Sequence, residues 1–203
     1  MLTAFQNFLY NCALSFDLPI LDWIQANMQS GFMDKFMPFI TVFGDAGIFW
    51  MVWAALLVVF PETRKTGLGM AFAMMIGLLI CNVTLKPLVG RIRPYDLQAE
   101  LGITIQLLGE RMHDFSFPSG HTIASFEAAV VLLKNSKKMG IPAMILAVLI
   151  AFSRLYLYVH YPTDVIASVI LGTLFALIGD ALAGLIAPKL GADRKSTRLN
   201  SSH

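Results

Sequence analysis

Three short clusters in the middle of the chain hold residue types that can work on a phosphoryl group. Lys86 is followed by Arg93-Pro94, Pro118-Ser119-Gly120-His121 comes next, and Ser153-Arg154 then precedes His160 and Asp164. Three cations can neutralise phosphoryl oxygens. Two histidines can attack phosphorus and protonate a leaving oxygen, and a carboxylate can orient one of the rings. Each cluster sits at an end of a long apolar segment. The elements that must position them are therefore read as membrane helices.

The composition agrees with that. The chain is 57% hydrophobic and 14% charged, with a mean hydropathy of +0.68, whereas a soluble domain carries about 25% charged residues. An integral membrane protein is expected. The segment Asp193–His203 resembles the translation of a sequencing-library adapter and is set aside as an artefact, with a polar tail as the alternative. The natural C-terminus would then be missing. Without it the chain loses three of 15 basic and one of 13 acidic residues, and the formal net charge falls from +2 to 0. No argument from basicity to a nucleic-acid partner survives. Cys12 and Cys81 lack metal-type or CxxC spacing and are read as packing residues. The opening residues lack the pattern of a cleaved signal peptide.

The chain divides into an N-terminal interfacial or amphipathic region, 1–45, a catalytic membrane domain, 46–192, and the artefact, 193–203. Apolar spans are expected at Ala46–Phe60, Thr66–Leu85, Thr122–Leu133, Met139–Ser153 and Val165–Gly179, the last continuing toward Lys189. The fold class is all-α, a polytopic membrane helix bundle of five to six spans, the sixth only if Leu2–Phe16 crosses. Leu18–Gln29 reads as an amphipathic helix at the interface, and Gly44-Asp45 as a break. Tyr156, Tyr158 and Tyr161 read as an interfacial belt. If the spans alternate, Arg64, Lys65, Lys134, Lys137, Lys138 and Lys189 fall on one side, which the positive-inside tendency makes cytoplasmic. All three clusters then face outward.

Pro118-Ser119-Gly120-His121 opens a helix, where unpaired backbone N–H groups and the dipole favour an anion and Gly120 allows close approach. Ser119 can also act as the N-cap. A capped helix with an incidental histidine is the bland alternative. Pro162 suits a first helical turn, so His160 should precede that helix and Asp164 lie in its first turn. There Asp164 can accept the Nδ1–H of His160 and leave Nε2 free as a nucleophile; a surface histidine beside a dipole-complementing acid is the alternative. Lys86, Arg93 and Arg154 could be snorkelling bases, but they lie on the side where basic residues are disfavoured.

Together the clusters resemble the tripartite signature of the type 2 phosphatidic acid phosphatase superfamily, with every motif position present from Lys86 to Asp164. The resemblance covers roughly Asp22 to Leu190, and the compact size is similar to that of bacterial lipid-phosphate and undecaprenyl pyrophosphate phosphatases. It implies a metal-independent phosphatase without cofactor, in a bacterial cytoplasmic membrane, with a lipid phosphate as substrate and membrane lipids as surroundings. Undecaprenyl pyrophosphate is the leading candidate, and phosphatidic acid or phosphatidylglycerol phosphate the alternatives. By this resemblance His160 forms a phosphohistidine, Asp164 orients it and His121 is the acid and base. Lys86, Arg93, Ser119, Gly120 and Arg154 hold the phosphate. A non-catalytic anionic-lipid-binding protein and a vanadate-dependent haloperoxidase are the competing classes. Both fit less well, since binding needs no nucleophile–acid pair and the haloperoxidases are soluble.

Other polar residues are read more plainly. His113 and Asp114 are taken as a solvated loop pair. Arg91 is either an assistant for a second phosphate or an interfacial base. Glu127, about two turns into a membrane helix, is expected to make an interhelical hydrogen bond. Trp23, Trp50 and Trp53 are read as interfacial or packing aromatics.

Overall fold

The computed structural model describes the backbone of residues 2–200 and the side chains of residues 3–187; the supposed artefact, 193–203, lies outside the described side chains. Within these residues every regular element is helical. In chain order the α-helices are α1 (Leu2–Cys12), α2 (Leu18–Met28), α3 (Met33–Thr41), α4 (Ile48–Val59), α5 (Arg64–Gly77), α6 (Lys86–Val89), α7 (Pro94–Glu100), α8 (Gly120–Asn135), α9 (Lys137–Tyr156) and α10 (Pro162–Asn200). π-Helical turns at Ala13–Asp17 and Leu78–Leu85 join α1 to α2 and α5 to α6, and a 3₁₀ segment, Val42–Gly47, joins α3 to α4.

Four stretches are long and apolar enough to cross a membrane: Met33–Val59, Arg64–Glu100, Lys137–Tyr156 and Pro162–Ala187. The sequence-based count of five included α8, whose 16 residues span only about 24 Å, short of a hydrocarbon core of about 30 Å. Instead α8 is the central post. It packs against α5, α9 and α10, and most of its residues from Thr122 to Leu132 are buried. With neighbours on several sides it needs no amphipathic stripe.

Helix contacts are made close by small residues. A Cβ on Gly179 of α10 would come within 2.6 Å of Ala73 N and Gly69 O of α5, and one on Gly67 would meet Ala54 O of α4 at 2.6 Å. Such small-residue seams replace the hydrophobic drive that lipid surroundings do not supply. The core they enclose includes Trp50, Met70, Ala73, Ala128, Ala129, Leu132, Ala147 and Ile150. Trp50, fully buried, donates from Nε1 to Ser125 Oγ at 3.1 Å, as a buried indole N–H should.

The bundle has two chemically distinct ends. At one, Lys65 and Lys134 reach Asp180 at 3.3 and 2.8 Å, so the cations of two separate connections share one side. At the other lie the three motif clusters. Here the three tyrosines expected at the lipid interface turn inward: Tyr156, Tyr158 and Tyr161 are all buried. Tyr156 donates to Asp34 and Tyr158 to Asp22, each at 2.5 Å, tying α3 and α2 to the α9–α10 turn. Phenol groups with carboxylate acceptors within reach have no need of the headgroup layer.

Candidate active site

Local structure delivers the clusters as their sequences suggest. Lys86 begins α6 directly after the π-helical turn, whose wider winding re-aims the helix after it. Arg93 is the extended N-cap residue of α7, with Pro94 in its first turn. Ser119 is the N-cap of α8 and its side chain accepts from Thr122 N. Arg154 occupies the last turn of α9. His160 lies in the short turn that follows, and Asp164 in the first turn of α10.

Arg93 is the organising cation. It is buried and donates from Nε to the Asp114 carbonyl at 2.9 Å and from Nη1 to the Val159 carbonyl at 2.7 Å. The same Nη1 stands 3.4 Å from His160 Nε2. A guanidinium can only donate, so the ring nitrogen facing it must present its lone pair, and the proton belongs on Nδ1. His160 is itself buried. Burial first, and then the neighbouring Arg93, Arg154, Lys86 and His121, hold its pKa well below the ordinary histidine value. At neutral pH the ring is uncharged.

His121 faces the same space from the start of α8. Its Nε2 lies 2.7 Å from Asp45 Oδ1, on the segment where the sequence predicts a break. That break is real: Asp45 is extended, and Ala46 and Gly47 follow with φ of 48° and 68°. Gly44 lies flat on the histidine ring, since a Cβ there would stand 2.8 Å from His121 Cδ2. Gly120 is overhung by the Asn82 side chain, whose Oδ1 would sit 3.3 Å from an added Cβ. Ser119 N donates to Ser168 Oγ at 2.8 Å. Arg154 donates to Thr41 Oγ1 at 2.6 Å and meets Met112 Sδ at 3.2 Å, while its buried Nε has no partner.

Four expectations are corrected. Asp164 does not receive a hydrogen bond from His160: Oδ2 is 3.6 Å from Nδ1, which is left without a partner. The carboxylate is instead taken by Arg91 Nη1 at 2.5 Å, by the Ser116 hydroxyl and by Tyr161 N at 3.1 Å. Arg91 is thus neither a second phosphate ligand nor an interfacial base. It is buried, pairs also with Asp17 Oδ2 at 2.8 Å, and lies 3.8 Å over the Tyr161 ring. Asp114 does lie half-exposed in a loop, but it is not free there, because its two oxygens bridge Lys86 and Arg93, each at 2.5 Å. Partial burial would raise its pKa, but hydrogen bonds and charge from Lys86 and Arg93 bring it down to about 2. Finally, Glu127 Oε1 is buried without the expected hydrogen bond, and Gly77 makes room for it, since a Cβ there would stand 2.0 Å away.

Residues that the sequence did not single out as site members are Asp17, Asp45, Asn82, Ser116 and Ser168. Asn82 gave one signal, an amide inside the uncharged run Thr66–Leu85. The others are short polar residues whose partners are remote in sequence.

A cavity of about 760 Å³ joins these groups. Lys86, Arg93, Asp114, His121 and His160 line its polar end, and the remaining wall runs past Met51, Ala54, Val58, Met74, Met75 and Leu78 of α4, α5 and the π-helical turn. Met51, Met75 and Leu78 are exposed on the outer surface, so the apolar part is a groove between α4 and α5 open to the membrane side. An anion and a long apolar chain can occupy it together.

Comparison with known proteins agrees. Residues 66–182 match the PAP2 superfamily. An undecaprenyl-diphosphatase of Sulfolobus acidocaldarius is 33% identical over 161 residues, covering 79% of this chain and 75% of that protein. A lipid A 4'-phosphatase of Bacteroides thetaiotaomicron is 31% identical over 179 residues, covering 83% and 76%. The crystal structure of a PAP2-type phosphatidylglycerolphosphate phosphatase from Bacillus subtilis superposes with a TM-score of 0.70 at 26% identity, over 91% of this chain and 95% of that one. With the matched segment running from the start of α5 into α10, through all three clusters, the chain belongs to the PAP2 superfamily and is an integral membrane phosphatase of lipid phosphates.

Proposed function

We propose that the enzyme hydrolyses the terminal phosphate of a polyprenyl diphosphate, with undecaprenyl pyrophosphate the leading substrate, through a phosphohistidine on His160. The observation that carries this reading is the single cavity in which His160, His121, Lys86 and Arg93 share space with a chain-length apolar groove. A wall of alanine, valine, leucine and methionine suits an isoprenoid tail, and the diphosphatase relative supports the headgroup.

In the first step His160 Nε2 attacks the terminal phosphorus and the bridging P–O bond breaks. His121, neutral in the empty site because burial and then Arg154 bring its pKa down to about 4, takes up a proton as the anionic substrate binds and gives it to the departing oxygen, which leaves as the lipid monophosphate. Lys86, Arg93, Arg154, Ser119 and the Gly120 amide hold the oxygens of the transferring group. In the second step His121 takes a proton from water, the water oxygen attacks phosphorus, and the P–N bond breaks to give orthophosphate and free His160. Asp164 acts through placement: gripped by Arg91 and Ser116, it faces the Nδ1 side of the ring and stabilises positive charge there as the P–N bond forms. Asp45 holds the His121 ring. We place the lysine-rich end, with Lys65 and Lys134, in the cytoplasm and the site outside, with α8 as the shortened fifth span.

Phosphatidylglycerol phosphate is the second reading. The observation favouring it is the unpartnered Glu127 carboxyl in the groove wall, since an ester carbonyl could bond there and an isoprenoid has none.

The test is phosphate release from undecaprenyl pyrophosphate in detergent with excess EDTA, using a chain ending at Ala192 beside its His160→Ala variant. Chelator-resistant release that disappears in the variant is the expected result. Release that persists in the variant overturns the histidine mechanism. Release only from phosphatidylglycerol phosphate selects the second reading.

A further inference from the structure

The cations assigned to phosphate are already engaged. Both carboxylate oxygens of Asp114 are used, one on Lys86 and one on Arg93, at 2.5 Å each. A bidentate carboxylate presents to two cations much the same pair of oxygens as one edge of a phosphoryl group. Its low pKa, about 2, keeps it charged throughout the working range. The carboxylate nonetheless can leave. Its side chain is 50% exposed, while its backbone is anchored independently, through the Asp114 carbonyl on Arg93 Nε at 2.9 Å and Ser116 N on Arg91 O at 2.8 Å. Rotation of one side chain clears Lys86 and Arg93 without unfolding the loop.

Charge decides which anion can displace it. The groove opens to the membrane between α4 and α5, where the prevailing anions are phospholipid headgroups. These are phosphodiesters, each carrying a single negative charge. Exchanging one monoanion for another gains nothing and strands Asp114 beside an anion. A terminal phosphate carries about −1.5 to −2 at pH 7, and a diphosphate more, so its attraction to Lys86 and Arg93 exceeds that of the carboxylate it replaces.

We infer that Asp114 is an internal competitor for the phosphate position: a carboxylate that any anion must displace from Lys86 and Arg93, so that strongly held terminal phosphates enter while the weakly held phosphodiester headgroups of the surrounding bilayer stay below the threshold for binding. This rests on the phosphate-binding role proposed above for Lys86 and Arg93. It does not depend on the chemistry at His160.

The experiment is therefore one of binding. Dioctanoyl phosphatidate, a terminal phosphate, and dioctanoyl phosphatidylglycerol, a phosphodiester, are titrated by calorimetry into the detergent-solubilised full chain and its Asp114→Asn variant. The variant keeps the size of the side chain and loses its charge. Both lipids should bind about tenfold more tightly to the variant, the size expected from removing two ion pairs that share a half-exposed carboxylate, with phosphatidate gaining at least as much as phosphatidylglycerol. No gain for either lipid, or phosphatidylglycerol binding the wild type as tightly as phosphatidate does, overturns the filter. So does binding of neither lipid to either protein, which would also remove Lys86 and Arg93 as the phosphate site. A protein that discriminates as expected but releases no phosphate refutes the enzymatic proposal and leaves the filter standing. Should Asp114→Asn melt below the assay temperature, Asp114→Glu, which keeps the charge on a longer arm, must bind both lipids as weakly as the wild type does; tighter binding of both by a folded Asp114→Glu overturns the filter as well.

Discussion

Replacing Arg91 by methionine should damage this protein more than replacing any motif cation. The Arg91 side chain is 6% exposed and lies between two carboxylates that are fully buried, Asp17 and Asp164, at 2.8 and 2.5 Å. Arg91→Met keeps most of the volume but leaves two negative charges without their shared cation. Breaking a buried pair by deleting one partner costs about 3–5 kcal/mol, which in a chain of about 200 residues lowers a melting midpoint by roughly 6–20 °C. Arg91→Lys retains a charge but cannot fork between two acids or stack on Tyr161, so about half that loss is expected. Asp17→Asn/Arg91→Met should be more stable than Arg91→Met alone, because one orphaned charge has been removed. The assay is thermal unfolding of the four proteins in one detergent by tryptophan fluorescence, with turnover measured well below the lowest midpoint. Folded Arg91→Lys should also turn over more slowly, since Asp164 loses the contact that fixes it near His160. An Arg91→Met protein that melts with the wild type would refute the reasoning. It would mean that Asp17 and Asp164 are satisfied without Arg91 and that the N-terminal helices do not brace the site.

Other outcomes are equally specific. Gly179→Ala forces a methyl against α5 backbone atoms at 2.6 Å and should destabilise by about 1–3 kcal/mol, read as a lower unfolding midpoint. Gly77→Ala collides instead with the Glu127 carboxyl, so pairing it with Glu127→Ala should restore much of the lost stability in a double-mutant cycle. His160, with its folded pKa below the unfolded value of about 6.5, binds fewer protons in the folded state across the interval between them. Stability should therefore rise with pH through that window and fall on acidification below about 6.5; His160→Gln should lessen that slope by about 1.4 kcal/mol per pH unit, measured as midpoint against pH.

Sequence patterns foretold what is local. Ser119 caps α8, Pro162 starts α10, Gly44-Asp45 breaks the first apolar stretch, and the three motifs meet at one end of the bundle. Spacing and residue type carry such information because each depends on a few neighbouring dihedrals. Pairings across long separations carry no such trace. Asp17 lies 146 positions from Thr163, whose N–H and hydroxyl it accepts at 2.9 and 2.7 Å, and nothing in its own neighbourhood sets it apart from Asp22 or Asp34. The same holds for Asp114, an acid in a polar loop until Lys86 and Arg93 are seen beside it. The tyrosines of the α9–α10 turn matched an interfacial composition, but their acceptors, Asp22 and Asp34, come from the far end of the chain.

That separation has a consequence for how the enzyme is made. Asp17 leaves the ribosome before the motif residues, and Thr163 follows 146 residues later. At about 5–20 residues per second the interval is roughly 7–30 s. Once Arg91 has been made, about halfway through that interval, it can hold Asp17, while His160 and Asp164 do not yet exist. The nascent chain therefore already carries the cations of the first motif while His160 is still unmade. On the mechanism proposed above, an enzyme assembled in this order stays inert toward lipids around the insertion machinery until the start of α10 has been made.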